Sequence, residues 1–419
     1  MHSDRLVSLL GLFVLLFICW VFSNNRRRFP WRATLTGLGL MFAFAILILK
    51  TNFGLGAFKV AQNAVDQLNV YATEGARLIF GPLGDPATLG KAFGPNAYVF
   101  AISISATIIV IAALSALLYH WGILQRVVGA LAWVMQRAMK ASGSESLAAS
   151  SNIFLGQTEA ALIIKPYLAK LTMSEMNVLM VTGFSTIATG VMVVYAGLPG
   201  MTAGDIVTAS VLSSVSGLFV AKIMFPETEA SETGERCHFG TERSAVNGVD
   251  ALCQGAAEGL MLALNVMAML LAFTAVVALA NALVAWPQTA LGVAVPVSFQ
   301  QVLGWINMPF AWLMGVPWKD CNVIGQALGE RIVLNEFIGF LHLSEIVRNN
   351  PTLLEPRSIT LASYALCGFA NFASIAIQIG GIAALAPERR SDLARLGWKA
   401  MFGGVLACYV TTAVVGILI

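Results

Sequence analysis

Apolar residues in this chain come in long runs. They follow neither the one-sided stripe of a soluble helix nor the alternation of a half-buried strand. Runs long enough to cross a bilayer core, roughly 17–25 residues, stand out at Leu6–Phe22, Tyr98–Tyr119 and Met401–Ile419. Taken along the whole chain, the pattern predicts eight spans: Leu6–Phe22, Thr34–Leu49, Tyr98–Tyr119, Met176–Leu198, Ala203–Phe225, Ala251–Trp286, Ile359–Ala386 and Met401–Ile419. Between the second and third, Thr51–Pro95 is broken by Gly and Pro. Its segment "VAQNAVDQLNVYATEGARLIFG" has helical spacing with a polar face, which predicts a helix lying along the interface. "ILQRVVGALAWVMQRAMKASG", with Arg126, Arg137 and Lys140, predicts a second surface helix on the cytoplasmic side.

Two apolar stretches are interrupted. Ser144–Met173 is split at Gly156-Gln157-Thr158-Glu159 into halves of about 10–14 residues, too short to span, which predicts a re-entrant hairpin. Val302–Leu343 is split by "GVPWKDCNVIGQ" and carries Glu336 within "VLNEFIGF", which predicts a second hairpin. The fourth span is broken by "TGFSTIATG" at Thr182–Gly190 and the seventh by "CGFANFASIA" at Cys367–Ala376. Each half thus holds a hairpin with a Glu, then a span opened at a Gly-Phe cluster. This internal repeat divides the chain into 1–97, 98–225, a polar and mobile cytoplasmic loop at 226–250, and 251–419. An odd number of crossings in the first half makes the two halves face opposite ways. The fold expected is an all-α polytopic membrane protein with eight transmembrane spans, two re-entrant hairpins, interfacial helices, and an inverted repeat with two broken spans.

Composition agrees. Only 11% of residues are charged and 58% are hydrophobic, against about 25% charged in a soluble domain. Net charge is +3, too small to imply a nucleic-acid partner. With both termini outside, most of the 25 basic residues, beginning with Arg26-Arg27-Arg28, fall on the cytoplasmic side of an inner (plasma) membrane. The first span has a weak basic start and no small-residue cleavage site, so it reads as retained. The six cysteines are scattered, with no CxxC pair and no plausible partner among the four histidines, which argues against a metal or disulfide framework.

The chemistry lies in the polar residues at membrane depth. A charge near the bilayer centre costs about 2.5–3.5 kcal/mol even on the gentlest scale. Glu159 and Glu336 therefore need protein, water or a ligand to face. Each has a bland alternative as a carboxylate satisfied by helix ends, and each Gly-Phe cluster as a packed kink. The repeat favours the functional alternative, because each Glu sits where its half must open, and broken helices expose amide and carbonyl groups only where they line a cavity or coordinate something. Asn371 and Ser374, three apart beside Phe369 and Phe372, suit a neutral, multiply hydroxylated ligand with an aromatic part. No HExxH, GxSxG, aspartate-rich or Walker motif is present, which argues against an enzyme and against ATP as the energy source. A secondary transporter for a polar, uncharged solute remains.

"GQTEAALIIKPYL", "LALNVMAMLLAF", "GVPWKDC", "VLNEFIGF" and "CGFANFASIAIQIGGIAALAPERRSDL" occur in that order, and through them the chain resembles the concentrative nucleoside transporter family in its short bacterial form. The resemblance covers essentially the whole chain. It implies a homotrimer that takes up nucleosides with a cation by elevator-like movement of the hairpin-bearing part. It assigns Gln157, Thr158 and Glu159 to the nucleobase, Val191 to a contact in the broken fourth span, and Glu336, Asn371 and Ser374 to the ribose hydroxyls, with Phe369 lining the same pocket. It implies a sodium site from the Asn152 and Thr186 side chains and the carbonyls of Leu155 and Ile187, oxygens of the kind a hard cation takes. Thr186 stands where sodium-coupled relatives often have Ser, and Ala161 where the family commonly has Pro. Sodium-coupled nucleoside symport is the function implied, with proton-coupled symport as the alternative.

Overall fold

Every element of the computed structural model is helical among the residues it describes, which are 2–94, 99–233 and 245–419. In chain order the helices are α1 (His2–Val21), α2 (Trp31–Lys50), α3 (Asn52–Phe80), α4 (Pro86–Phe93), α5 (Phe100–His120), α6 (Ile123–Met139), α7 (Gly143–Asn152), α8 (Glu159–Ile163), α9 (Met173–Ser185), α10 (Thr189–Ala196) and α11 (Ala203–Met224). They continue with α12 (Gly248–Ala290), α13 (Phe299–Leu313), α14 (Cys321–Val333), α15 (Glu336–Asn349), α16 (Pro356–Leu366), α17 (Phe372–Leu385) and α18 (Arg390–Leu418). Seven segments among the described residues are long and apolar enough to cross a bilayer, the pair α9–α10 counting as one. The expected seventh span is the pair α16–α17, whose two short halves fall below that length. Tyr98, the start of the expected third span, lies outside the described residues.

The hairpins are set by their caps. Ser142 Oγ accepts from the Glu145 amide while Glu145 Oε2 accepts from the Ser142 amide, a reciprocal box that starts α7. Thr172 and Glu175 do the same for α9. Hairpin one rises as α7 and turns over 153–158. It returns as α8 and a 3₁₀ turn at Lys165–Lys170, so the descending arm is shorter and less regular than the 10–14 residues expected. Pro166, with no amide hydrogen, helps stop α8.

Hairpin two differs from the sequence reading. "GVPWKD" is not its middle but the turn that joins α13 antiparallel to α14. The tip is Leu334-Asn335, where Asn335 Oδ1 caps α15 through the Ile338 amide at 3.0 Å. Both halves therefore run surface helix, hairpin, broken span, span: α6, α7–α8, α9–α10, α11, then α13, α14–α15, α16–α17, α18. The basic stretch from Arg390 to Lys399 does not precede the last span but forms its first turns.

Cross-connections sort the chain into two ends. At one, the Asn24 amide donates to the Met224 carbonyl (2.9 Å), and Lys399 reaches Asn24. There too Arg389 Nη1 donates to the Leu168, Ala169 and Leu171 carbonyls at the base of hairpin one. At the other, Arg5 Nη2 donates to the Ile419 carbonyl (2.6 Å), and Arg357 at the base of hairpin two donates to Gly315 and Gly416. The loop after α11 was expected to be mobile. Residues 234–244 lie outside those described, but the preceding part is held down: Thr233 is buried, its Oγ1 donates to Glu175, and its carbonyl takes the Gly143 amide.

Candidate functional site

Two openings in helices meet near the middle of the molecule. Thr186 and Ala188 are extended where α9 stops and α10 starts, and residues 367–371 separate α16 from α17. The Phe369 amide donates to the Thr186 carbonyl (3.2 Å), which ties the two openings together.

Glu336 begins α15 and Asn371 caps α17, so two half-helix amino ends, each of positive partial charge, converge there. Glu336 is buried. Its Oε1 accepts from the Tyr195 hydroxyl (2.8 Å) and its Oε2 from Asn371 Nδ2 (3.1 Å), and no Lys or Arg pairs with it among the described residues. Asn371 Oδ1 accepts from the Ser374 amide (2.9 Å), so this pair is brought together by a helix cap, not by sharing a helical face. Tyr195 stacks on Phe340 at 4.5 Å and meets Phe337 edge-on at 5.6 Å, which fixes its hydroxyl. Phe369 is partly buried next to the opening. Phe372, read from sequence beside the cluster, turns outward and stacks on Trp398.

The tip of hairpin one docks on α17 one to two turns further along. Gln157 Oε1 accepts from Gln378 Nε2 (2.9 Å), and Thr158 lies against Gly381 so closely that a Cβ there would stand 2.2 Å from Thr158 Cγ2. Glu159 parts from these two neighbours. Its Oε2 accepts from the Gly156 amide within its own turn (3.0 Å), and it lines a cavity of about 580 Å³ with Leu155, Thr189, Gly190, Gln254 and Glu258. Val191 is buried in the first turn of α10, between that cavity and Tyr195 along the helix.

Asn152, Leu155, Thr186 and Ile187 fall where hairpin one meets the opening of the fourth span. Asn152 Nδ2 donates to Thr182 Oγ1 (3.0 Å), whereas the fully buried Asn152 Oδ1 has no partner. Thr186 Oγ1 donates to the Thr182 carbonyl (2.8 Å), which leaves its oxygen lone pairs free to accept. An orphaned buried oxygen costs about 1–3 kcal/mol, and neutral oxygens beside the carbonyl end of a half-helix make a donor set that fits a hard monovalent cation.

Sequence reasoning missed Tyr195, Gln378 and Arg331. Each is a lone polar group in an apolar run, the signal that singled out Glu336, and Ser374 and Gln378 are four apart on α17.

Compared with known proteins, the sequence matches three family descriptions in tandem. They are "Na+ dependent nucleoside transporter N-terminus" over residues 10–83, "Nucleoside recognition" over 101–202, and "Na+ dependent nucleoside transporter C-terminus" over 205–416. An uncharacterized transporter of Haemophilus influenzae is 36% identical over 99% of this chain and 98% of its own. The sodium/nucleoside cotransporter 1 of Mus musculus is 35% identical over 100% of this chain, which spans only 64% of that relative's length. Among solved structures, CNTnw in an inward-facing substrate-bound state superposes with a TM-score of 0.92 at 31% identity, covering 99% of this chain and 97% of the other. A substituted CNTnw in an outward-facing state gives the same values.

Proposed function

The chain belongs to the Na+-dependent nucleoside transporter family, whose members are transporters and not enzymes, and on that premise we propose that it is a sodium-coupled nucleoside symporter. In this reading Glu336, Asn371 and Ser374 hold the ribose hydroxyls with Phe369 and Val191 alongside, Gln157 and Thr158 read the base, and Glu159 faces the solute's path. The observation that carries it is the Glu336 cluster. It is a buried carboxylate without a cation, positioned by Tyr195 and Asn371, with lone pairs left over for hydroxyl donors. Sodium is carried by Asn152, Thr186 and the carbonyls of Leu155 and Ile187, and the unpartnered Asn152 Oδ1 supports that assignment. The alternative is proton coupling, with Glu159 in the cavity as the carrier.

The two hairpins start from opposite ends of the molecule, which fits an inverted repeat with both termini outside and the Asn24–Met224 end in the cytoplasm of a plasma-membrane protein. An elevator movement of the hairpin-bearing body suits this arrangement. A homotrimer suits α12, which buries only Ala251, Gly255, Gly259 and Ala263 along its length.

The test is binding of uridine and of 2′,3′-dideoxyuridine to the purified protein. A site built to pair hydroxyls rejects the analogue lacking them by up to about 10⁴–10⁵. Strong preference for uridine, abolished in Glu336→Gln, is expected; equal affinity for the two nucleosides would remove the ribose role.

A further inference from the structure

Arg331 stands near the end of the ascending arm of hairpin two and is fully buried. A guanidinium in such a place ordinarily has a carboxylate partner. Here none lies within ion-pair distance among the described residues. Arg331 Nη1 donates to the Ala365 carbonyl (2.6 Å), Nε to the Gly368 carbonyl (3.2 Å) and Nη2 to Cys408 Sγ (3.2 Å). The first two are carbonyls at the end of α16 and in the opening that follows it, the negative end of a half-helix. Gly368 is required there: a Cβ would stand 2.7 Å from Cys408 Sγ, 2.8 Å from the Phe184 carbonyl oxygen and 3.1 Å from Arg331 Nη2.

The first half has the same construction with one difference. At the end of the ascending arm of hairpin one stands Asn152, and it too meets the carbonyl end of the half-helix that follows, α9. Asn152 is neutral and its Oδ1 is left unpaired. One half therefore presents carbonyl-type oxygens with no protein cation, and the other presents them to a cation bonded to its own chain. The two places are joined through Cys408, whose thiol lies against the Ser185 and Cys367 carbonyls at 3.5 and 3.4 Å.

We propose that Arg331 is a tethered cation that fills, in the second half, the place that a coupling ion takes in the first, and so restricts ion coupling to one half of the chain. The proposal rests on the sodium reading above in one respect, that the first half carries the ion. Arg331 is a positioning residue: it holds the Ala365–Gly368 carbonyls and through them the opening that presents Asn371 to Glu336. Because it is part of the chain, that side of the pocket is held whether or not sodium is bound, whereas the Thr186 side changes with the ion.

Three variants of the full-length protein separate this from simple packing. Arg331→Ala leaves a guanidinium-sized space beside the carbonyls, Arg331→Met fills the space without charge, and Arg331→Lys keeps the charge without the planar fork. The readouts are the thermal unfolding midpoint in millimolar guanidinium chloride against equal urea, and the ratio of sodium to uridine flux in proteoliposomes. Guanidinium is expected to raise the midpoint of Arg331→Ala and restore its uptake, urea to do neither, and Arg331→Met to ignore both. Arg331→Lys is expected to keep the wild-type flux ratio and Arg331→Met to lose it. A folded Arg331→Ala indifferent to guanidinium overturns the proposal, as does Arg331→Met with a wild-type ratio. Where Arg331→Ala does not fold, the Met and Lys pair decides. Loss of sodium-driven uptake in the wild type would count against the first-half ion site, while the guanidinium response would still decide Arg331.

Discussion

At the residue scale, function depends on which oxygens are already taken. Each oxygen of Glu336 accepts one protein hydrogen bond, from Tyr195 or Asn371, and a carboxylate has capacity for more. Tyr195→Phe keeps the ring against Phe340 and removes only the hydroxyl. A hydrogen bond to a charged group contributes about 1.5–3 kcal/mol, so uridine binding is expected to weaken at least tenfold; unchanged affinity by equilibrium binding would show that Tyr195 positions nothing. Thr186→Val conserves shape and removes a candidate ion ligand. It is expected to raise the sodium concentration for half-maximal uptake while uridine affinity at saturating sodium holds, and an unchanged sodium requirement would exclude Thr186. Glu336, Asn371 and Glu159 were legible in the sequence because charge and amide groups are costly at membrane depth. Their division was not: Gln157 and Thr158 turn to α17 while Glu159 turns to the cavity. Three consecutive residues in a tight turn point three ways, and no periodicity encodes that.

At the element scale, the two openings were readable from their Gly-Phe clusters, and the structure breaks both helices there. The tip of hairpin two was not, because "GVPWKD" and "VLNE" are both short interruptions between helices of 13–15 residues. What distinguishes the tip is local: Asn335 caps the helix that Glu336 begins, whereas the Gly315–Pro317 segment only reverses the chain. The docking of hairpin one on α17 depends on a missing side chain. Gly381→Val would drive into Thr158, while a Cβ at the neighbouring Gly380 meets nothing within 4 Å. Gly381→Val is expected to lower uridine affinity and Gly380→Ala to leave it unchanged. Equal effects of the two would remove the contact from the account. The base of the same hairpin is clasped by Lys222 between Glu145 and Glu227, with Thr172 donating to Glu227 (2.8 Å). The capping motif around Glu145 is visible in sequence, but its partner in α11 is not, since it lies far along the chain.

At the scale of the whole molecule, the run lengths gave away a helical membrane protein, and the order of interruptions gave away two like halves. What they could not give is how the halves cross, because that is written in single hydrogen bonds such as Phe369 to Thr186 and in close approaches at Gly368 and Gly404. The central claim joins the two halves in one function: the first carries the ion, the second holds the nucleoside, and the tied openings couple them. The measurement that tests it most directly is uridine accumulation in proteoliposomes under an inward sodium gradient, then under an inward proton gradient without sodium. Accumulation with sodium alone, absent in Asn152→Ala, is the result this account predicts. Accumulation driven by protons without sodium would keep the nucleoside pocket and contradict the ion site.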